Sequence, residues 1–231
     1  MQTPSEKTPT ITFFRLADYH DEALGAVAEH APCKARIATA SAQLDAAAAA
    51  YDTSVRALGR PRARVRLVDL AADRVVDQLY LATVSADGGR PGTGTRGLFP
   101  EGKTAIVEPV GPSEVVALRE LLDRLNARGT ALATEWGPRL SEAATKYREA
   151  LAARDAARDL SAARREQLRE GKRVWIRAYR QNQGALVELY ASDKRTLESL
   201  FDTFRSTARS DEDDGGGDPG AEDPAPTPAA G

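Results

Sequence analysis

Eight residues near the middle of the chain have the spacing of a nucleotide-binding loop. Residues 97–104 read GLFPEGKT, which matches the pattern G-x-x-x-x-G-K-T. In that motif the loop amides surround phosphates, the lysine neutralises them and the threonine hydroxyl holds Mg²⁺. The candidate phosphate-binding residues are therefore Gly97, Gly102, Lys103 and Thr104. The chemistry also needs a strand before the loop and a helix directly after it, and Pro109 and Pro112 argue against a helix that begins after Thr104.

A second pattern, G-x-G-x-x-G, overlaps the first at residues 92–97. It also lacks the flanking strand and helix that position phosphates in dinucleotide-binding proteins. We therefore interpret residues 88–112 as a long connector rich in glycine and proline, whose apolar residues are buried under the end of the bundle; they are Leu98, Phe99, Pro100, Ile106 and Val107. No cofactor and no enzymatic activity are predicted, and nucleotide binding through residues 97–104 is kept as the second alternative function.

Two groups of basic residues offer a different chemistry, the binding of phosphate backbones or acidic surfaces. One group lies within 56–66, and the other lies within 164–180, where Trp175 and Tyr179 stand between its members. We expect both groups to flank helix turns, the second at Gly171, and to meet at one end of a helical bundle. The candidate polyanion-binding residues are Arg62, Arg66, Arg165, Arg169, Arg173 and Arg177. The simpler alternative is a solvated helix surface with paired charges.

Other residues with reactive side chains lack the partners that their chemistry requires. His20 stands among carboxylates, but His30 is ten positions away and Cys33 is the only cysteine, so no metal site is predicted. No Ser-His-Asp or Cys-His set is evident. Three carboxylates that recur every four residues are expected on a solvent-exposed helix face; they are Asp69, Asp73 and Asp77.

The composition favours helices over sheets. Aromatic residues make up only 6% of the 231 residues, and apolar residues recur at steps of three and four, which indicates helices with one buried face. The expected elements are a helical hairpin over 33–87, the connector over 88–112, a helical column over 113–170 kinked near Pro138, and a last helix over 172–208. With residues 1–9 expected to be disordered, 10–209 would form a single domain: an all-α, elongated, antiparallel bundle of four or five helices with coiled-coil-like packing.

The end of the chain differs in charge from the rest. Seven acidic residues and no Lys or Arg follow Arg209, whereas 32 basic and 27 acidic residues precede them, a net charge of +5. Residues 210–231 are expected to be a disordered acidic tail that solubilises the protein, binds a partner or occupies the basic surface. Because the last helix is expected to run to residue 208, the tail would begin away from that surface.

These patterns favour a non-enzymatic protein that acts through protein–protein contact or self-association, with a protein partner or a second copy as its ligand. Binding of a polyanion or nucleic acid through an Arg-rich bundle end is the first alternative, since a net charge of +5 is mild for a nucleic-acid-binding domain. No run approaches about 20 apolar residues and the N-terminus has no apolar segment, so no membrane span and no secretory signal are expected. The cytoplasm is the expected location.

Overall fold

The structure, a computed structural model, describes residues 3–202 of the chain. All regular secondary structure in this range is helical and no strand occurs in it, which confirms the all-α prediction. No helix within these residues combines the length and the apolarity needed to cross a bilayer. The predicted tail over 210–231 lies outside the described residues. The helices are α1 (Thr10–Gly25), α2 (Ala31–Ala57), α3 (Gly59–Ala86), α4 (Thr93–Leu98), α5 (Thr104–Val107), α6 (Pro112–Ala127), α7 (Ala131–Leu189) and α8 (Lys194–Ser199), with a 3-10 turn at Ala28–His30.

Residue contacts divide the chain into two compact units. Unit 1 comprises Met1–Ala49 and Glu166–Gly231, and unit 2 comprises Ala50–Arg165. Helices α2 and α7 contribute residues to both units, and each unit has its own apolar core. The arrangement of 10–209 as a single bundle domain stays a prediction.

Aromatic side chains form the centre of the unit 1 core. The ring of Trp175 stacks on that of Tyr179 with centroids 4.8 Å apart, and it meets Phe13 edge-on at 5.2 Å. Its indole Nε1–H donates to the hydroxyl of Ser41 at 3.0 Å, which satisfies the one polar atom of the ring. Trp175 and Tyr179, which stand among basic residues in the sequence, are therefore core residues of unit 1.

The unit 2 core follows the predicted apolar stripes. Its fully buried members include Ala72, Val76 and Leu79 of α3, Leu118, Leu121 and Leu125 of α6, and Leu140 and Tyr147 of α7. The connector adds Leu98, Phe99 and Ile106, which are buried as the sequence predicts, whereas Pro100 is exposed and Val107 is half-buried. The connector thus packs on its unit through three apolar side chains, although its backbone is rich in glycine.

The chain does not reverse at residues 59–61, where a hairpin turn is predicted. Leu58 alone separates α2 from α3, and its backbone angles, φ −63° and ψ −27°, are helical. Pro61 lies in the first turn of α3, where a proline is tolerated although it has no N–H to donate to the carbonyl four residues earlier. Its missing hydrogen bond accounts for the break at Leu58. The helix bounds of 33–87 are close to the prediction, but the turn is not formed.

Gly171 is not the predicted helix end. Helix α7 continues through it from Ala131 to Leu189, and the break lies at Gly129, which has a φ of 57° between α6 and α7. A Cβ atom at Gly171 would lie 3.5 Å from the Cα of Leu44, so the glycine sits where α7 passes close to α2. The predicted helices over 113–170 and 172–208 are therefore replaced by α6 and α7.

The chain turns back after Leu189 instead of continuing as a helix to residue 208. Asp193 caps α8, because its carboxylate accepts from the backbone N–H of Thr196 at 3.0 Å. Beyond α8, the Phe201 ring returns to the unit 1 core and lies 5.4 Å from the Tyr179 ring, centroid to centroid. The last described residues thus pack beside α7.

Residues 3–9 make specific contacts, although the sequence predicts disorder there. The backbone N–H of Ser5 donates to the hydroxyl of Thr8 at 3.0 Å, and the carbonyl of Thr8 accepts from Lys172 Nζ at 3.0 Å. Pro4 and Thr8 are buried. This segment leads into α1, so the apolar run at residues 11–16 is helical.

Candidate functional site

The glycine-rich connector surrounds a carboxylate of the chain itself. Asp87, which follows α3, accepts from the backbone N–H groups of Gly92, Gly94 and Thr95 at 3.0, 3.1 and 2.6 Å. The hydroxyl of Thr95 donates to the same carboxylate at 2.7 Å. The hydroxyl and amide of Thr95, with the amides of the two glycines, hold the pKa of Asp87 below its usual value. The G-x-G-x-x-G pattern is thus an anion-binding backbone turn, and its anion is Asp87.

Contacts within the chain account for all three glycines of that pattern. A Cβ atom at Gly92 would lie 2.9 Å from Cγ of Asp87, and one at Gly94 would overlap Oδ1 of the same carboxylate. A Cβ atom at Gly97 would overlap the guanidinium group of Arg128, which donates to the carbonyl of Gly94 at 2.7 Å. The glycines therefore admit an intrachain carboxylate and an intrachain guanidinium group.

The G-x-x-x-x-G-K-T residues do not assemble as a phosphate-binding loop. A helix does begin at Thr104, contrary to expectation, but α5 is a single turn that ends at Val107, because Pro109 limits its length and not its start. Lys103 Nζ forms an ion pair with Oδ1 of Asp77 at 2.6 Å. No strand precedes residue 97 in the described range. The positions of these residues therefore favour a loop that only connects helices over a phosphate-binding loop; they are Gly97, Gly102, Lys103 and Thr104.

The carboxylates of α3 are half-buried, not solvent-exposed as predicted, and they lie near a buried acid. Glu114, in the first turn of α6, is 1% exposed, and its Oε2 has no hydrogen-bond partner among the described residues. Burial raises the pKa of Glu114 to about 9, with the neighbouring Asp69 as the next cause, and Tyr147 opposes the shift. Burial, with Asp69 and Asp77, likewise raises the pKa of Asp73 to about 6. Glu114 is therefore a neutral carboxylic acid at pH 7.

Sequence reasoning missed the Glu114 cluster, which we define as Glu114, Asp69, Asp73 and Tyr147. The Tyr147 hydroxyl accepts from the backbone N–H of Gly111, just before α6, at 2.9 Å. An acidic residue in the first turn of a helix is usually ionised and stabilises the helix N-terminus through its charge. The position of Glu114 in the sequence therefore gives no indication that this acid is buried and neutral. Within residues 3–202, no group of three or more His, Cys, Asp or Glu side chains has a geometry that could hold a metal ion.

His20 of α1 is fully buried and both of its ring nitrogens have partners. Nδ1–H donates to the carbonyl of Leu200 at 2.9 Å, and Nε2 accepts from the side-chain amide of Asn182 at 3.1 Å. The same amide nitrogen donates to the carbonyl of Cys33 at 2.9 Å, while the amide oxygen accepts from Arg36 at 2.8 Å. These two contacts fix the orientation of the Asn182 amide and, through it, the His20 tautomer.

The His20 cluster, defined as His20, Asn182, Cys33, Arg36 and Leu200, favours an uncharged ring. Burial lowers the pKa of His20, and the Leu200 carbonyl partly opposes that shift. Protonation at Nε2 would also place a second N–H group against the side-chain N–H of Asn182. Both groups would then be donors and neither could accept a hydrogen bond. Because His20 and Glu114, the central groups of the two clusters, are 0% and 1% exposed, we interpret both clusters as structural features of their units.

The predicted polyanion-binding residues belong to different units. Exposed side chains of unit 2 are Arg62 and Arg66 on α3 and Arg165 on α7, whereas Arg169, Arg173 and Arg177 are exposed on α7 in unit 1. Lys172, which is part of the same basic stretch, is buried and donates to Thr8. The meeting of the two groups at one bundle end stays a prediction.

An open groove of about 580 Å³ lies on unit 1 between α7 and the N-terminal segment. We call it the α7 groove, and its lining residues are Pro4, Ser5, Glu6, Arg173, Ile176, Arg177, Arg180 and Gln181. Helical spacing places Arg173, Arg177 and Arg180 on one face of α7. All three belong to the basic group within 164–180, and of the three only Arg173 and Arg177 are among the candidate polyanion-binding residues selected from the sequence.

The three arginines of the groove differ in their partners. Arg173 forms ion pairs with Glu6 at 2.9 Å, Glu170 at 3.2 Å and Glu166 at 3.6 Å. The hydrogen-bonded ion pair with Glu6, followed by the one with Glu170, raises the pKa of Arg173. The contact between Glu6 and Arg173 also lowers the pKa of Glu6.

Arg177 and Arg180 are exposed, and no carboxylate pairs with either of them in the part of the chain that the structure describes. The positive charge available to a ligand therefore comes from Arg177 and Arg180. Comparisons of the chain with protein-family models, with curated proteins and with solved structures found no match.

Proposed function

We propose that this protein is a non-enzymatic helical-bundle protein that binds an acidic segment of a partner protein in the α7 groove. The observation that carries the proposal is the pair Arg177 and Arg180, exposed in a groove and without carboxylate partners in the described chain. Guanidinium groups bind carboxylates through two parallel hydrogen bonds, so two of them on one helix face suit successive acidic side chains.

The surroundings of the groove favour an acidic peptide over a nucleic acid. Because Glu6, Glu166 and Glu170 neutralise Arg173, the positive charge of the groove is confined to Arg177 and Arg180, which is a shorter stretch than a continuous phosphate backbone uses. Trp175 and Tyr179, the nearest aromatic residues of α7, are buried and cannot stack on bases. Ile176 and Pro4 add apolar surface to the lining, which a peptide with mixed side chains can cover.

The expected affinity is low and sensitive to salt. Exposed ion pairs contribute only about 0.2–1 kcal/mol each, and screening reduces them further as ionic strength rises. Two guanidinium groups and a small apolar surface therefore suit a reversible contact. A tighter complex would need further contacts outside the groove.

The test is binding of a fluorescein-labelled hexaglutamate peptide to the full chain, followed by fluorescence anisotropy at about 50 mM NaCl. Charge reversal in the variant Arg177→Glu/Arg180→Glu should weaken binding about tenfold, because two attractive contacts become repulsive. The matched control is Arg148→Glu/Arg195→Glu, which changes net charge equally at two exposed arginines outside the groove. We expect the control to bind nearly as well as the native chain.

Two outcomes would overturn the proposal. Equal weakening in both variants would mean that binding follows net charge and not the groove. Tighter binding of a short single-stranded DNA than of the peptide, lost in the groove variant alone, would assign the groove to nucleic acid instead.

The other predicted functions have less support from the geometry. Nucleotide binding is not proposed, because Lys103 pairs with Asp77 and the glycine turn holds Asp87. Self-association and a cytoplasmic location stay predictions, and light scattering of the full chain tests the first of them.

A further inference from the structure

We infer that the acidic run at residues 211–214 occupies the α7 groove of its own chain and competes there with a partner's acidic segment. The run reads DEDD, and no Lys or Arg follows Arg209. The inference rests on the proposed function, since it names a regulator of the same groove.

The position of the last described residues brings this segment near the groove. The Phe201 ring lies 5.4 Å from the ring of Tyr179, centroid to centroid, and Tyr179 directly precedes Arg180 in α7. Asp202 forms an ion pair with Arg15 of α1 at 3.4 Å. The sequence alone predicts that the tail begins away from the basic surface, and the end of α7 at Leu189 removes that objection.

The chain between Asp202 and the acidic run is long enough to reach the groove. Eight residues lie between Asp202 and Asp211, so nine Cα–Cα steps join the two, and nine extended steps span up to about 30 Å. Tyr179 faces the core, while the exposed Arg177 and Arg180 lie about 160° and about 100° away from it around α7. A helix with its side chains is about 10–12 Å across, so the run can pass around α7 and lie along the two arginines.

The charges of the two segments are complementary. Four consecutive acidic residues meet two arginines that have no carboxylate partner among residues 3–202. A tethered ligand is present at an effective concentration of roughly millimolar for a short flexible connection. Because exposed ion pairs are weak, a free acidic peptide at lower concentration competes poorly against a tethered one. The tail would thus set a threshold concentration for partner binding.

Neutralising the acidic run in the full chain tests the competition. We expect the variant Asp211→Asn/Glu212→Gln/Asp213→Asn/Asp214→Asn to bind the hexaglutamate probe at least about threefold more tightly than the native chain, because the tethered competitor is removed. The matched control neutralises Asp218, Glu222 and Asp223 and should change the affinity less. Equal affinities of the native chain and the 211–214 variant would overturn the inference while the proposed function stands. Absence of probe binding in every variant would overturn the proposed function instead.

A spin label on the tail gives a direct second measurement. The label is attached at Asp213→Cys in a Cys33→Ala background, so that it reacts at one site only. Signals of the backbone amides of 176–181 should broaden by paramagnetic relaxation, and the Arg177→Glu/Arg180→Glu change should abolish the broadening.

The spin-label measurement also separates the possible occupants. Mixing spin-labelled chains with ¹⁵N-labelled chains that carry no spin label should leave the amides of 176–181 sharp if the contact forms within one chain. Broadening in the mixture alone would assign the groove to a second copy. No broadening in any sample would leave the tail as a solubilising segment. Either of these last two results overturns the inference.

Discussion

His20 in unit 1 and Glu114 in unit 2 are both buried titratable groups, and their surroundings keep them uncharged in different ways. Both ring nitrogens of His20 have hydrogen-bond partners, and those partners suit only the neutral ring. Glu114 has one carboxyl oxygen without a partner among the described residues, and it stays neutral by keeping its proton. The first group is controlled by hydrogen-bond geometry, and the second is controlled by the cost of burying a charge.

Burial of these two groups makes the free energy of unfolding of the two units change with pH in opposite directions. For His20 the folded state holds a proton less readily than the unfolded chain, so the free energy of unfolding falls as pH drops below 6.5, the ordinary value. For Glu114 the folded state holds its proton more readily, so the free energy of unfolding falls as pH rises from 4.5 towards about 9. The stability of each unit is therefore expected to decline at a different end of the pH range.

The largest expected effect comes from removing Asn182, on which the His20 cluster depends. Asn182→Leu leaves His20 Nε2 without its partner in a buried site, and it also removes the amide contacts to the Cys33 carbonyl and to the half-buried Arg36. One unsatisfied buried group costs about 1–3 kcal/mol, so the free energy of unfolding should fall by about 2–3 kcal/mol once the two smaller losses are included. Guanidinium denaturation followed by Trp175 fluorescence in a Trp136→Phe chain measures this loss for unit 1.

The neighbouring residue provides a matched control for Asn182→Leu. Gln183 lies on the same helix, and its side-chain Nε2 is buried without a hydrogen-bond partner, so Gln183→Leu removes no hydrogen bond. We expect this control to lose little or no stability. A loss below about 1 kcal/mol for Asn182→Leu would show that the cluster contributes no more than an ordinary single hydrogen bond.

The next effect sharpens the unit 2 side of the comparison. Glu114→Gln keeps a donor beside Asp69 and cannot ionise, so the variant should lose the decline in stability between about pH 6 and about 9, while the smaller decline that Asp73 causes below about pH 6 remains. One proton corresponds to a slope of at most about 1.4 kcal/mol per pH unit. Guanidinium midpoints measured by circular dichroism from pH 5 to pH 9 provide the test.

The exposed Glu149→Gln is the control for this pH series. It lies on α7 in the same unit and should follow the native chain at every pH. If Glu114→Gln also followed the native chain, Glu114 would not be the group that makes unit 2 sensitive to alkaline pH.

The smallest effect reverses the sign of the unit 1 response. Asn182→Asp places a carboxylate where the amide contacts His20 Nε2 at 3.1 Å and Arg36 at 2.8 Å. The carboxylate should raise the pKa of His20 in the folded state above 6.5. The contribution of His20 to the free energy of unfolding is then complete below pH 6.5, and it is lost as the pH rises through the raised pKa. Native unit 1 behaves in the opposite way. A variant that still loses stability on acidification would exclude His20 as the titrating group.

The sequence predicts the helices of this protein well because their apolar stripes are local. The bounds of α2 and α3 fall close to 33–87, and the connector buries Leu98, Phe99 and Ile106 as expected. The signal for α8 is also present in the sequence. Asp193 is a polar residue inside the last predicted helix, over 172–208, and in the structure it is an N-cap with Thr196 three residues later.

The features that sequence reasoning missed depend on residues far apart in the chain. Gly171 has the type of a helix C-cap, but packing against Leu44 keeps it within α7, so a tertiary contact outweighs a local preference. The partners of His20 lie on α7 and just after α8, and no local pattern connects them. Arg177 and Arg180 line a groove together with Pro4, Ser5 and Glu6 of the N-terminal segment, and no local pattern predicts that contact between distant parts of the chain.

The carboxylate of Asp87 inside the glycine turn has a consequence for how the connector behaves in solution. A free phosphate could reach these amides only by displacing a group that is covalently attached nearby, and attachment gives that group a large advantage in local concentration. The connector should therefore keep its conformation in phosphate buffers and in the presence of nucleotides. A glycine pattern of this kind predicts a backbone turn that can bind an anion. Whether that anion is a ligand or a carboxylate of the same chain depends on the neighbouring residues.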